Sequence, residues 1–487
     1  MEGKSSSNRS IESFGRTEEI MEEREFDKLK RSKFFVGSKD WVEDFFADPS
    51  NNKPEKLPDK IRLVLKNYLQ LDNVSFLFGT GSSLHLGTTS IRNFPIAIEN
   101  ALRNGDQEVY GLFIHLVKQF QKSEYVLRDE SQQPSEITVP LEEFLNYLLA
   151  LQYVQGHSKN LISGYNYEDS FEDKHIEITP QILESLISKI KSELFKLCDL
   201  DKLEYWPDDE QVREEMQKNG KYTYHKSFIK SLLERPLNLR RANIFTTNYD
   251  LAFENAFDEL GVHYMNGFSG FHKRTFRPEV FEYDLYYPGS TTEGRVRRIE
   301  RMIKYYKLHG SITWVREESS AQNQYGLVER HIDWVRNNLE SAGDIIIYPT
   351  AHKKGYTLDF PYSELFRQFA SVITQPQSVL FCVGYSFFDE HINDIIYQAL
   401  SIPSFTLIVV DFKGTGNEMI KKLYELDDPR IVILEGSYLG DFKTFSKKIM
   451  PTFHEMEYRE KVSTTLKKLY SEKQASEVKD DARADYW

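Results

Sequence analysis

The sequence predicts an α/β fold, a mostly parallel sheet covered by helices on both faces and interrupted by a large helical insertion. Three observations predict it. Short apolar runs that stop at glycine or polar residues recur along the chain, at "VSFLFG", "NIFTT", "YYKLHG", "DIIIYPT", "SVLFCVG", "FTLIVVD" and "RIVILEG". The later runs alternate with helical patterns such as "AFENAFDEL", "YSELFRQFASVI" and "EMIKKLYEL". Between the first two runs, by contrast, apolar residues recur at i, i+3 and i+4 from about residue 95 to 235, the spacing of one helix face.

Taken in order, residues 1–57 read as a polar N-terminal extension and linker, with a helical pattern in "EEIMEEREFDKLKRSKFF" and linker composition in "NNKPEKLPDK". The helix pattern "IRLVLKNYLQL" leads into the first strand and the glycine turn "GTGSS". Residues 121–235 form the helical insertion. Residues 58–120 and 236–440 together make a Rossmann-like body, and 441–487 a C-terminal helix and tail. The basic run "RRIERMIKYYK" reads as an exposed helix face, with a partner or nucleic-acid contact as the alternative. "HKKGY" at His352–Lys354 reads as a solvated loop, with a phosphate contact as the alternative, and the terminal Tyr486 and Trp487 as part of a frayed tail or as docking residues.

Bulk properties exclude several classes. The 487 residues carry a net charge of −13, which opposes direct nucleic-acid binding because a duplex footprint needs a basic face. Two cysteines, Cys198 and Cys382, cannot build a disulfide framework or a four-thiolate zinc site, and no metal is expected. No apolar run approaches the roughly 18 residues of a spanning helix, and the polar start lacks a signal-peptide core. The expectation is a cytoplasmic protein without a membrane segment.

In a parallel α/β sheet, ligands bind at the carboxyl ends of the strands, so the residues there carry the functional reading. The first end offers Gly79, Thr80, Gly81, Ser82 and Ser83, where glycines admit a phosphate and amide protons face it. The second offers Thr246, Thr247, Asn248 and Asp250, whose side chains suit ribose hydroxyls or an amide; helix capping accounts equally well for Asn248 and Asp250. The third places His309 and Gly310 at a strand terminus; the fourth has Gly384 and Ser386 with Asp389 beside them; the fifth leaves Asp411, an acid suited to a ribose diol. His85, just after the first turn, either covers a bound nucleotide or packs within the loop.

"FLFGTGSS", "FTTNYD", "KLHGS" and "VGYSFFDEHI", in this order, resemble the motifs of sirtuin-like NAD-dependent enzymes, in a spelling nearer the bacterial defence-associated branch than the histone deacylases. The resemblance spans about 70–120 and 240–440. It implies that Gly79, Thr80, Gly81, Ser82 and Ser83 form a phosphate-binding turn and that Asn248, Thr247 and Asp250 stand beside the nicotinamide ribose. It further implies that His309 is the catalytic histidine and that Gly384 and Ser386 serve the adenosine half, with Asp411 a looser match. The family's deacylases carry a zinc module of four cysteines that this chain cannot build, so hydrolysis of NAD by water becomes the expected reaction. Products would be nicotinamide and ADP-ribose. By analogy the role is anti-phage defence by NAD depletion, held off by a homo-oligomer or an activating partner such as a separately encoded HerA-type ATPase. The alternatives are an NAD-dependent protein deacylase and a non-catalytic NAD- or ADP-ribose-binding regulatory subunit.

Overall fold

The protein is described from a computed structural model, which covers residues 23–48, 54–88, 94–120, 141–157, 165–169, 172–287, 297–339 and 360–452. The central sheet contains β1 (Lys33–Val36), β2 (Lys39–Asp40), β3 (Asn73–Phe78), β4 (Asn243–Thr246), β5 (His263–Met265), β6 (Met302–Lys307), β7 (Ser378–Val383), β8 (Thr406–Asp411) and β9 (Ile431–Glu435). Across the sheet they run β2-β1-β9-β8-β7-β3-β4-β6-β5. All pairings from β9 to β5 are parallel, and only β1 and β2 join antiparallel. The mostly parallel α/β architecture read from the sequence is therefore the observed one.

These strands are near-continuous apolar runs because both faces are covered. Successive side chains point to opposite faces. Val379, Phe381 and Val383 of β7 accordingly join one core, while Leu380 and Cys382 join the other. The first core is closed by helices Leu57–Leu69, Thr223–Leu233 and Ala252–Leu260, with Phe228 meeting Phe76 and Phe78 edge-on at 4.9 and 5.0 Å. The second is closed by helices Tyr362–Ile373, Glu390–Leu400 and Glu418–Glu425. A small antiparallel sheet of Phe268–Ser269, Arg274–Phe276, Leu327–Glu329 and Trp314–Arg316 adds Phe268, Phe276 and Trp314 to that side.

Three sequence expectations change. The segment 1–57, read as extension and linker, contains β1, whose Phe34 and Phe35 pair with Leu434 and Ile433. Four residues are too short a run for periodicity to reveal, yet they protect the outer edge of β9. The insertion read over 121–235 is not a separate body, since Thr223–Leu233 packs into the first core. Helix Glu210–Asn219 likewise gives Val212 and Met216 to the first core, while Leu141–His157 and Pro180–Cys198, with Phe94–Arg103 and Gln107–Phe120, enclose a third core that also takes in Tyr249, Ile312 and Val328. Asp199, at the end of helix Pro180–Cys198, clasps the Arg336 guanidinium through two bonds of 2.7 and 2.6 Å, tying that helix to Ile332–Arg336. The basic run at 297–307, read as a helix face, forms strands, with Arg298 bonded to Asp284 and Lys307 buried in β6. Of the C-terminal segment, Phe442, Phe445 and Ile449 enter the first core. The strand expected at "DIIIYPT", the loop at His352–Lys354, and Tyr486 and Trp487 lie outside the described residues.

Candidate active site at the carboxyl ends of the strands

Register brings the site together. Phe78, the last residue of β3, stands opposite Thr246 on one side and Val383 on the other, and Thr246 stands opposite Lys307. Four strands thus end at one level, and the turns after them emerge side by side. The chain leaves β3 for β4 on one side and reaches β7 on the other, the topological switch that opens a crevice in doubly wound sheets.

The turn after β3 is pressed onto the turn after β7. A methyl group on Gly81 would lie 2.6 Å from Gly384 Cα, and one on Gly79 would lie 2.5 Å from Gly384 O, so glycine is required for this approach. The amides of Gly79 and Gly81 donate to Val383 O and Gly384 O, and those of Ser82 and Ser83 donate to Gly79 O and Thr80 O. This corrects the expectation that the turn's amide protons face a phosphate. Four of them are used inside the fold, and the chain continues into a 3-10 turn, Thr80–Ser82, rather than a helix. The side-chain hydroxyls of Ser82 and Ser83 face the next strand end instead.

There they meet Asn248, which is buried with a relative exposure of 9%. Its Nδ2 donates to Gly79 O at 3.1 Å and lies 3.2 Å from Ser83 Oγ and 3.3 Å from Ser82 Oγ. A carbonyl only accepts, so Gly79 O fixes which end of the amide is nitrogen. Asn248 Oδ1 is consequently a buried acceptor with no hydrogen-bond partner among the described residues. Asn248 does not cap the helix Ala252–Leu260; its amide is anchored to the first turn. Asp250 does hold the amide of Ala252, at 3.0 Å, so its capping role is real. Burial pushes its carboxyl up from the ordinary range, while the charge of Lys307 and hydrogen bonds from Ala252 and Ser83 pull the other way. Thr247 is half-buried, and its amide donates to Phe78 O at 3.0 Å.

Lys307 is the buried cation beneath this turn. Its Nζ donates to the carbonyls of Tyr249 and Asp250 and, at 2.9 Å, to Glu254 Oε1. Glu254 also accepts from Tyr305 at 3.0 Å, and burial raises its carboxyl as well. Lys307 was not singled out in the sequence because a lysine in "YYKLHG" reads as an ordinary strand residue; only burial marks it.

His309 follows β6 and is buried, with its ring 6.4 Å from that of Tyr249. Its Nε2 lies 2.8 Å from Asp389 Oδ2. The oxygen stands off the line of an aligned ring N–H bond, a common state of catalytic contacts before substrate arrives. Asp389 comes from the "GYSFFDE" loop, which is rigidly held. Asn393 Nδ2 donates to Phe387 O at 2.8 Å, where Phe387 sits at φ +56°, and Tyr385 donates to Asn393 Oδ1 at 3.2 Å. Sequence reasoning noted Asp389 only as a neighbour of Gly384; the signal for it was an N-cap residue before a helix, which says nothing about a distant histidine.

The remaining expected residues stand apart. Ser386 is exposed, and its carbonyl accepts from Asn417 Nδ2. Asp411 uses Oδ1 to hold the amides of Lys413 and Gly414 at 2.9 and 2.8 Å, with its carboxyl raised by burial. His85 packs rather than covering the crevice, 5.5 Å from the ring of His225 and 5.9 Å from Phe442. Among the described residues no cluster of three or more His, Cys, Asp or Glu could hold a metal ion, and no helix is long and apolar enough to cross a membrane.

A buried amide with an unanswered acceptor, a buried acid and a histidine beside a carboxylate meet where a doubly wound sheet binds ligands. Residues 242–418 match a family model described as "SIR2-like domain". That stretch is therefore similar to sirtuin-like domains. It includes Asn248, Asp250, His309, Gly384, Asp389 and Asp411, while Gly79–Ser83 lie upstream of it. No curated protein matches the chain.

Proposed function

We propose that the protein is an NAD hydrolase that cleaves the nicotinamide–ribose bond to give nicotinamide and ADP-ribose. The observation that carries this is Asn248. Leaving a buried acceptor unmet costs about 1–3 kcal/mol, and such a group calls for an explanation. Oδ1 supplies the acceptor that a ribose hydroxyl or an attacking water needs, and the anchored Nδ2 keeps it in place.

As the glycosidic bond breaks, positive charge develops on the ribose and nicotinamide departs neutral. No strong acid is needed; orientation and a base are. Asn248 orients the water or a ribose hydroxyl, and His309 accepts the proton. Asp250, whose carboxyl is raised by burial and pulled back by the charge of Lys307, holds the turn by accepting from the amide of Ala252 and supplies negative potential beside the developing cation. Gly79–Ser83 and Gly384 form the floor beneath the dinucleotide, with Asp411 available to the second ribose. The adenosine role of Ser386 rests on the motif alone.

Such an enzyme drains its own cell when unrestrained, so the proposal includes an off state released by assembly or by a partner protein, in an anti-phage role. The helical block supports this, because its core includes Tyr249, the residue between Asn248 and Asp250. A change at that block reaches the catalytic turn directly.

The test is nicotinamide and ADP-ribose release from NAD by the purified full chain, alone and with lysate of phage-infected cells. Turnover that Asn248→Ala and His309→Ala lose by about 10²–10⁴-fold supports the hydrolase. Release that requires an acylated peptide would replace it with a deacylase, and saturable NAD binding without turnover in any condition with a regulatory subunit.

A further inference from the structure

We propose that Asp389 is a positioning residue that fixes the proton of His309 on Nε2 and so places the imidazole lone pair on Nδ1. The kinetic arm of this inference rests on the hydrolase reading above; the tautomer itself does not.

The geometry assigns the two oxygens of Asp389 to different tasks. Oδ1 accepts from the amides of His391 and Ile392 at 3.1 and 3.4 Å, capping the helix Glu390–Leu400. Oδ2 lies 2.8 Å from His309 Nε2. Both residues are buried, so the contact is little screened by water. The ring N–H is not aligned with Oδ2, but a carboxylate only accepts, so the ring nitrogen nearest it is the one that carries the proton. The loop cannot easily swing away: Gly384 is locked against Gly81, and Asn393 holds Phe387 and Tyr385. An N-cap alone does not explain a buried acid, since Ser, Thr or Asn would cap equally well without bringing a charge to a histidine.

Asp389→Asn separates the two tasks. The introduced carbonyl can still cap the helix, but the introduced NH₂ would face Nε2 as a donor. His309 would then carry its proton on Nδ1, with the lone pair turned to the wrong nitrogen. Asp389→Ser, which also caps but leaves Nε2 without a carboxylate, is the second variant.

The experiment is ¹⁵N NMR of the full chain with labelled histidine, the His309 signals being assigned by their loss in His309→Gln. Wild type should show Nε2–H for His309, and Asp389→Asn should shift it toward Nδ1–H while the melting temperature stays near wild type. In parallel, NAD turnover by Asp389→Asn should fall by about 10²–10⁴-fold, mainly in kcat, as when a base is lost. An unchanged tautomer in both variants overturns the proposal, as does full turnover in Asp389→Asn beside an active wild type. If wild type itself never turns over NAD, the hydrolase reading fails and the NMR arm still decides the role of Asp389.

Discussion

The two ends of the central sheet both bury charge, and they use it differently. At the amino end, Arg235 directs its three nitrogens to Leu69 O, Leu71 O and Arg240 O at 2.8, 2.8 and 3.0 Å. Arg241 and Arg298 share Asp284, each with a 2.9 Å bond, and Arg298 also holds Leu237 O and Leu239 O. These cations close loops entering β3, β4 and β6 by meeting their carbonyls. At the carboxyl end, Asn248 Oδ1 has no partner among the described residues, and Asp250 and Glu254 are raised acids near the cation Lys307. Satisfied polar groups hold a fold, whereas a pre-arranged and incompletely satisfied set is what a ligand completes.

The comparison can be broken by mutation. Its largest contrast is between Asn248→Ala and Arg235→Ala. The first should lose about 10²–10⁴-fold in NAD turnover, equal to about 3–5 kcal/mol in the barrier, with a nearly unchanged urea midpoint. The second should lose about 1–3 kcal/mol of stability by leaving the buried Leu69 carbonyl unmet and releasing the loops at Leu71 and Arg240, with kcat of the folded fraction retained. Equal losses of both kinds in both variants would erase the distinction between the two ends.

A second contrast sits within the carboxyl end. Gly81→Ala forces a methyl group against the backbone of Gly384, and overpacking of this kind costs about 1–3 kcal/mol. Because the Asn248 anchor is on the same turn, activity should fall along with the melting temperature. Stability loss without activity loss would show that the turn does not hold Asn248.

Acid provides a third. His85 and His225 are buried among Phe442, Phe253 and Tyr224, and burial holds His85 well below the usual histidine range and His225 down to about 3. The unfolded chain takes up protons below about 6.5 while the native state does not, so stability falls as pH drops from there toward about 3. At pH 5 the loss is about 2 kcal/mol for each such histidine. Urea melts of His225→Phe should show a shallower decline between pH 6.5 and 5, and an unchanged slope would refute the assignment. The smallest effect is expected at Asp411. Its Oδ1 already serves Lys413 and Gly414, so Asp411→Asn should raise KM for NAD by about three- to tenfold with kcat retained.

Much of the fold was legible in the chain, for physical reasons. Strands covered on both faces must be apolar throughout, so β3, β7, β8 and β9 were readable as runs, and their polar ends stood out against them. β1 and β5 were too short to show a pattern. "TTNYD" left Asn248 and Asp250 equally readable as caps, and the structure divides them: Asp250 caps, and Asn248 reaches across to Gly79, Ser82 and Ser83. The glycines of "GTGSS" read as admitting a phosphate, and the group that approaches them in the structure is the backbone of Gly384.

By itself, the sequence determined the alternation of strands and helices, the strand ends that carry polar groups, and the absence of a four-cysteine zinc module. Those features come from local composition and spacing, which act within a few residues. Only the tertiary structure decided that Phe78, Thr246, Lys307 and Val383 end at one level, that Asn248 keeps an unanswered oxygen, and that Asp389 faces His309. Strand order, register and burial are set by contacts between residues far apart in the chain, and the partner of a buried polar atom is specified there rather than by its neighbours in sequence.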